Sequence, residues 1–156
     1  MLRLSKLTDY GTVVLAYMAR DPATVYAAAD VAEATHLTAP TVSKLLKCFA
    51  RARLVTSQRG ARGGYSLARP PEQITAVQII DAIEGPVAIT QCSLSHDRCG
   101  IEPVCGVGHN WQRLSLAIRD ALKTVTLAQL ARPSAPLLPR MDLGARLSAL
   151  KPHGER

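Results

Sequence analysis

Between Ala34 and Pro71 the chain carries seven lysine or arginine residues and no carboxylate. The residue order inside that segment leaves it few ways to fold. In Thr38 to Tyr65, TAPTVSKLLKCFARARLVTSQRGARGGY, helical spacing of about 100° per residue puts Val42, Leu45, Leu46 and Phe49 on one side. Lys44, Lys47 and Arg51 fall on the other, with Thr41 and Ser43 flanking. The apolar side can dock on a core while the cations stay in water. Thr38 is placed to cap this helix, and Pro40 falls in its first turn, where a missing N–H costs little. Leu54–Ser57 and Tyr65–Ala68 then have strand-compatible composition, and QRGARGG between them supplies turn residues. A hairpin tipped by Arg59 and Arg62 is the expected result. So much unbalanced positive charge favours a polyanion.

The residues ahead of this segment complete a motif. Ser5 to Arg20 reads as a first helix, with Leu7, Tyr10, Val13, Val14, Tyr17 and Met18 at three- and four-residue spacing and Ser5 or Thr8 as the cap. Asp21-Pro22 closes it. Ala27 to Thr35 reads as a second, alanine-rich helix with Val31 and Ala32 inward. His36-Leu37-Thr38 turns into the basic helix. Helix, tight turn and basic helix form the helix-turn-helix plan, in which the second helix enters the major groove of duplex DNA. On this reading Lys44, Lys47, Arg59 and Arg62 contact phosphates, Thr41 and Ser43 reach bases, and Thr38 and Arg51 belong to the same surface. The Gly-rich turn lacks the Gly-Lys-Ser/Thr ending of a nucleotide loop and opens onto no helix.

Charge is unevenly distributed along the 156 residues. The net +7 resolves into +6 for residues 1–70, −2 for 71–131 and +3 for 132–156, as expected if one part meets nucleic acid and another does something else. Only 4% of residues are aromatic against 47% hydrophobic, so the core must be mainly aliphatic. No apolar run approaches the roughly 18 residues that span a membrane, and the start has no signal-peptide character. These features predict a cytoplasmic protein whose thiols stay reduced. No acid/base pair, nucleotide loop or activated thiol points to an enzyme.

Beyond Arg69-Pro70-Pro71, Thr75–Glu84 reads as a fourth helix buried through Val77, Ile80 and Ile83 and stopped by Gly85-Pro86. Gln91 to Gly108 is irregular and holds Cys92, Cys99 and Cys105. From His109 to Val125 comes the most regular helix, with Trp111, Leu114, Ile118, Ala121, Leu122 and Val125 close to a heptad seam. A long amphipathic helix after a small head predicts a homodimer, matching the two-fold symmetry of half-sites. The expected layout is a winged helix-turn-helix domain over 1–85, a cysteine loop over 86–108, a dimerisation helix and turn over 109–131, and a basic Pro-containing tail over 132–156. A short amphipathic helix over Met141–Leu150 fits the tail. The fold class is mostly α with a small β-wing.

The cysteine spacing Cys92-x6-Cys99-x5-Cys105 contains no close pair of the kind structural zinc uses. A disulfide would leave an odd thiol. Three thiolates along a Gly-containing loop suit an iron–sulfur cluster, with a fourth ligand among His96, His109, Glu102 and Asp9. Cys48 stands apart at the edge of the basic helix, where burial or a neutral surface role is expected.

RLSKLTDYG, APTVSKLLKCFARARLV, RGARGGYSLARPPEQIT and AIEGP together resemble the Rrf2 family of bacterial winged-helix regulators, over about Leu2 to Ala131. The segment CSLSHDRCGIEPVC is most similar to the branch that regulates SUF iron–sulfur assembly genes. The resemblance implies a dimeric transcription factor whose cluster, held by Cys92, Cys99 and Cys105, changes its affinity for a double-stranded operator. It also implies that the cluster is 2Fe–2S or 4Fe–4S. Iron–sulfur regulators of the family can take a histidine three residues after the third cysteine; here that position is Gly108, and His109 is one later. Nitric-oxide sensors of the family can use an aspartate in the first helix, a position matched by Asp9, which leads His109 as the fourth ligand. A nitric-oxide or thiol-redox sensing repressor of the same fold is the alternative.

Overall fold

A computed structural model describes residues 4–60, 63–90 and 107–132. Within them the chain forms α1 (Lys6–Met18), α2 (Ala28–Thr35), α3 (Ala39–Arg51), β1 (Val55–Gln58), β2 (Gly64–Leu67), a 3-10 turn (Pro71–Gln73), α4 (Ala76–Glu84), α5 (Gly108–Lys123) and α6 (Leu127–Leu130). This is a mostly helical winged-helix fold with one small antiparallel sheet. The expected tail helix over Met141–Leu150 lies outside the described residues.

Ser5 caps α1, its hydroxyl accepting from the Thr8 N–H at 3.4 Å. The inward side of α1 is Thr8, Gly11, Val14, Leu15 and Met18, which corrects the expected stripe: Tyr10 is 38% and Val13 47% exposed. The cause is Gly11. A Cβ there would meet Ile83, Phe49 and Leu45, so α1 turns its smallest residue inward to lie against α3 and α4. Thr8, 2% exposed, is buried with its polar atom satisfied, since its hydroxyl donates to the Glu84 carboxylate.

The face of α3 is as read, with Val42, Leu45, Leu46 and Phe49 each fully buried. They join Val14, Leu15, Met18, Val31, Leu54, Ile79 and Leu127 in one core that is aliphatic but for Phe49 among these residues. At about 25 cal/mol per Å² of apolar surface removed from water, burial of such side chains is the main force seating α3 on the head. Thr38 stands at its N-cap position without capping it.

The strands begin and end one residue away from expectation, for a local reason. Leu54 is spent on closing α3, its N–H donating to the Phe49 carbonyl at 2.9 Å, so the ladder starts at Val55. It pairs Val55 with Leu67 through Gln58 with Gly64. Tyr26 adds a short third edge to the wing: Tyr26 and Tyr65 exchange both backbone hydrogen bonds at 2.8 Å. Gly64 allows this approach, because a Cβ at that position would collide with the Tyr26 carbonyl.

In α4 the inward residues are Ala76, Val77, Ile79 and Ile80, with Ile83 only half-buried. After α5 the chain returns to the head. Val125 accepts from the Ala76 N–H at 2.8 Å, the Leu127 N–H donates to the Ile74 carbonyl at 2.7 Å, and α6 packs on α1. The expected seam is corrected at its end: α5 stops at Lys123, and Val125, 8% exposed, is buried in the chain's own fold.

Candidate nucleic-acid interface

The outward face of α3 forms an open groove of about 500 Å³ lined by Pro40, Ser43, Lys44, Lys47, Cys48 and Arg51. The seating of α3 produces it. Four core side chains on one side turn the opposite side to the solvent, with Pro40, Lys44, Lys47 and Arg51 exposed and Ser43 and Cys48 half-buried, and three of the six are cations. The ion pairs among the described residues, Arg119 with Asp81 and Lys123 with Asp120, lie on α4 and α5. None involves a cation of α3, so no described carboxylate pairs with its positive charges.

The structure brings Ser43, Lys44, Lys47 and Arg51 together and sets Thr41 aside. Thr41 is half-buried, and its hydroxyl shares a hydrogen bond of 2.8 Å with that of exposed Thr38. Arg59 is exposed just past β1, at the base of the hairpin turn; Arg62 lies outside the described residues. Pro40 and Cys48 were not read as part of this face, although their spacing carries the signal: Lys44 is four residues from each. The Cys48 thiol is half-buried in the groove wall.

The other candidate residues fall elsewhere. Asp9 is exposed in the first turn of α1 and His109 exposed in the first turn of α5. Cys92, Cys99 and Cys105, with His96 and Glu102, lie outside the described residues, and among those described no three His, Cys, Asp or Glu side chains converge as metal ligands. On α5, Trp111 is 41%, Leu114 38% and Leu116 60% exposed, while Ile118 and Leu122 are half-buried. The helix is held to its own head by polar contacts instead. Arg119 donates twice to Asp81 at 3.0 and 2.7 Å, and the buried Ser115 hydroxyl accepts from the Ile89 N–H at 3.2 Å. Asp81 also accepts from the Val87 N–H at 3.0 Å, so one carboxylate fixes both α5 and the strand of chain leaving α4.

A helix-turn-helix with a wing and a cationic, solvent-facing second helix defines a winged-helix DNA-binding protein. The comparisons agree. The Rrf2 family profile, described as an iron-dependent transcriptional regulator, matches residues 4–133, and the chain belongs to this family of transcriptional regulators. It is 28% identical over 128 residues to a candidate HTH-type transcriptional regulator of Aquifex aeolicus (strain VF5), covering 81% of this chain and 89% of that one. With a Haemophilus influenzae (strain ATCC 51907 / DSM 11121 / KW20 / Rd) relative of the same description it shares 35% over 102 residues, covering 65% and 67%. Among solved structures it is similar to CymR, the global cysteine regulator of B. subtilis, with a TM-score of 0.65, 29% identity and coverage of 86% and 100%. It is also similar to T. potens IscR, with a TM-score of 0.57, 30% identity and coverage of 81% and 84%. For the oxidized form of Staphylococcus aureus CymR the values are 0.61, 28%, 86% and 99%. No helix among the described residues is long and apolar enough to cross a membrane.

Proposed function

We propose that this protein is an iron–sulfur cluster-dependent transcriptional regulator, acting on genes of SUF-type cluster assembly, whose cluster occupancy changes its grip on an operator. The observation that carries the DNA half is the outward face of α3, where Ser43, Lys44, Lys47 and Arg51 line one groove. Lys44, Lys47, Arg51, Arg59 and Arg62 would hold phosphates. Ser43 would read base edges; Thr41, turned toward Thr38, is the weaker candidate. Supporting the sensing half are the three cysteines between α4 and α5, the iron-dependent description of the family and the likeness to an IscR. Cys92, Cys99 and Cys105 would be the thiolate ligands, with Asp9 or His109 as the fourth; both are exposed at helix starts. An iron–sulfur centre of either nuclearity would supply redox and ligand-exchange chemistry.

A homodimer fits this reading. The intrachain anchors of α5 are polar, which leaves Trp111 and Leu114 on its surface beside half-buried Ile118 and Leu122. A second copy covering that face would supply a second recognition helix, as needed to read successive major grooves about 34 Å apart. Head (1–85), cysteine segment (86–108) and α5 region (109–131) then act in sequence, with 132–156 as a basic tail.

Protein prepared without air should carry iron, acid-labile sulfide and visible absorbance, all absent from a Cys92→Ala, Cys99→Ala, Cys105→Ala variant. Colourless anaerobic protein whose operator affinity matches that variant sinks the cluster reading. The second reading, a thiol-redox regulator, is favoured by the likeness to a CymR solved in an oxidized form. It requires a disulfide among the same cysteines and no iron, and mass analysis after oxidant treatment separates the two.

A further inference from the structure

Both helices of the helix-turn-helix end in left-handed backbone without a glycine. His36, φ 54, ends α2, and histidine is one of the residue types enriched in that region. Arg53, φ 56, follows α3, and arginine is not. Around Arg53 the chain closes as a Schellman turn: the Leu54 N–H donates to the Phe49 carbonyl at 2.9 Å and the Arg53 N–H to the Ala50 carbonyl at 3.1 Å. Leu54 and Phe49 share the core, the apolar pairing that accompanies this turn. The left-handed position in it suits glycine, since any Cβ crowds the following carbonyl.

Backbone and neighbours therefore meet every need of the turn, and none of it uses the arginine side chain. That side chain is exposed and makes no ion pair with a described residue. A cation at a helix C-terminus also favours the helix dipole, but Arg51 already occupies the last turn of α3. What Arg53 adds is charge in a particular place. It lies two residues past Arg51, within about 7.6 Å Cα to Cα, and two residues before the strand that leads to Arg59. In chain order it stands between the cations of the α3 groove and Arg59 of the wing. Non-glycine residues held in this region concentrate at functional sites.

We propose that Arg53 is a further phosphate-contacting residue, gripping the DNA backbone where the reading helix hands over to the wing; this rests on the reading of α3 and the wing as the DNA surface. The test uses the full chain and a mixed-sequence duplex about three helical turns long, with affinity measured across a salt series. Arg53→Gln and Arg53→Gly should bind several-fold more weakly at low salt and lose about 0.9 of salt slope for each bound copy, while Arg53→Lys keeps the slope. Arg53→Gly should nonetheless melt higher than wild type, which Arg53→Gln should not, so one substitution moves stability and binding in opposite directions. Wild-type slopes in Arg53→Gln and Arg53→Gly, alongside a reduced slope in Lys44→Ala, overturn the role of Arg53 alone. An unchanged slope in Lys44→Ala as well overturns the α3 surface and Arg53 with it.

Discussion

Glu84, the last residue of α4, reaches the opposite end of the chain. Its carboxylate accepts from the Thr8 hydroxyl and from the Ser5 N–H at 2.8 Å, at the positive end of α1. The Thr8 hydrogen bond, followed by that of the Ser5 backbone, lowers its pKa below the ordinary carboxylate value. A carboxyl depressed in the folded state adds stability that is complete above the unfolded value of about 4.3. That stability is lost as pH falls through the folded value. Glu84→Gln should therefore melt lower than wild type at neutral pH, and the gap should close as pH drops below about 4; a gap constant from pH 7 to 3 would deny the carboxylate this role. Gly64 is a second single-atom dependence. Adding a methyl there forces the wing away from Tyr26, so Gly64→Ala should cost about 1–3 kcal/mol as overpacking, read as a lower urea midpoint at unchanged m-value.

Among the elements, α3 answers to two demands at once. Its buried side holds the head together: Leu46→Ala should destabilise by about 2–5 kcal/mol, seen in denaturant titration, yet leave the salt slope of DNA binding alone. Its wet side does the converse. Lys44→Ala and Lys47→Ala should each remove about 0.9 of slope per copy and shift stability by less than about 0.5 kcal/mol. The hold of α4 on α5 rests on the bidentate Asp81–Arg119 pair, whose side chains are 29% and 26% exposed. A double-mutant cycle with Asp81→Asn and Arg119→Gln should give a coupling of about 1 kcal/mol, the upper end for partly exposed pairs. A coupling near zero would leave Ser115 and Ile89 as the working anchor of α5.

For the molecule as a whole, the head and α5 are joined by two routes. The chain leaving α4 is fastened by Asp81 to Val87 and by Ser115 to Ile89, and the chain leaving α5 is fastened back through Val125 and Leu127. A change between α4 and α5 thus acts on a helix fastened to the DNA-reading head at its middle, through Ser115 and Arg119, and just past its C-terminal end, through Val125 and Leu127. If the exposed side of α5 is the contact between copies, Leu114→Glu should yield a monomer in sedimentation while keeping the helical circular dichroism of the parent. Binding to a two-half-site operator should then weaken far more than binding to non-specific duplex. A variant that still sediments as the parent would place the contact elsewhere.

How much of this could be read from residue order follows from how far apart the interacting groups are. The two faces of α3, the Ser5 cap, the Gly85 stop and the hairpin depend on residues within one or two turns of one another, so periodicity and turn chemistry expose them. Cys48 and Pro40 are legible by the same periodicity, each four residues from Lys44, although neither carries the charge that marks the rest of that face. The inward side of α1 was not legible, because Gly11 faces inward only on account of Phe49 and Ile83, which nothing near residue 11 announces. Val125 looked like one more step of a heptad until its pairing with Ala76 drew it into the core. Nor could Thr8 be matched with Glu84 from 76 residues away. Local order writes the faces of each helix; which face is pressed inward, and which polar groups find each other, is decided only when separate segments compete for the same buried space.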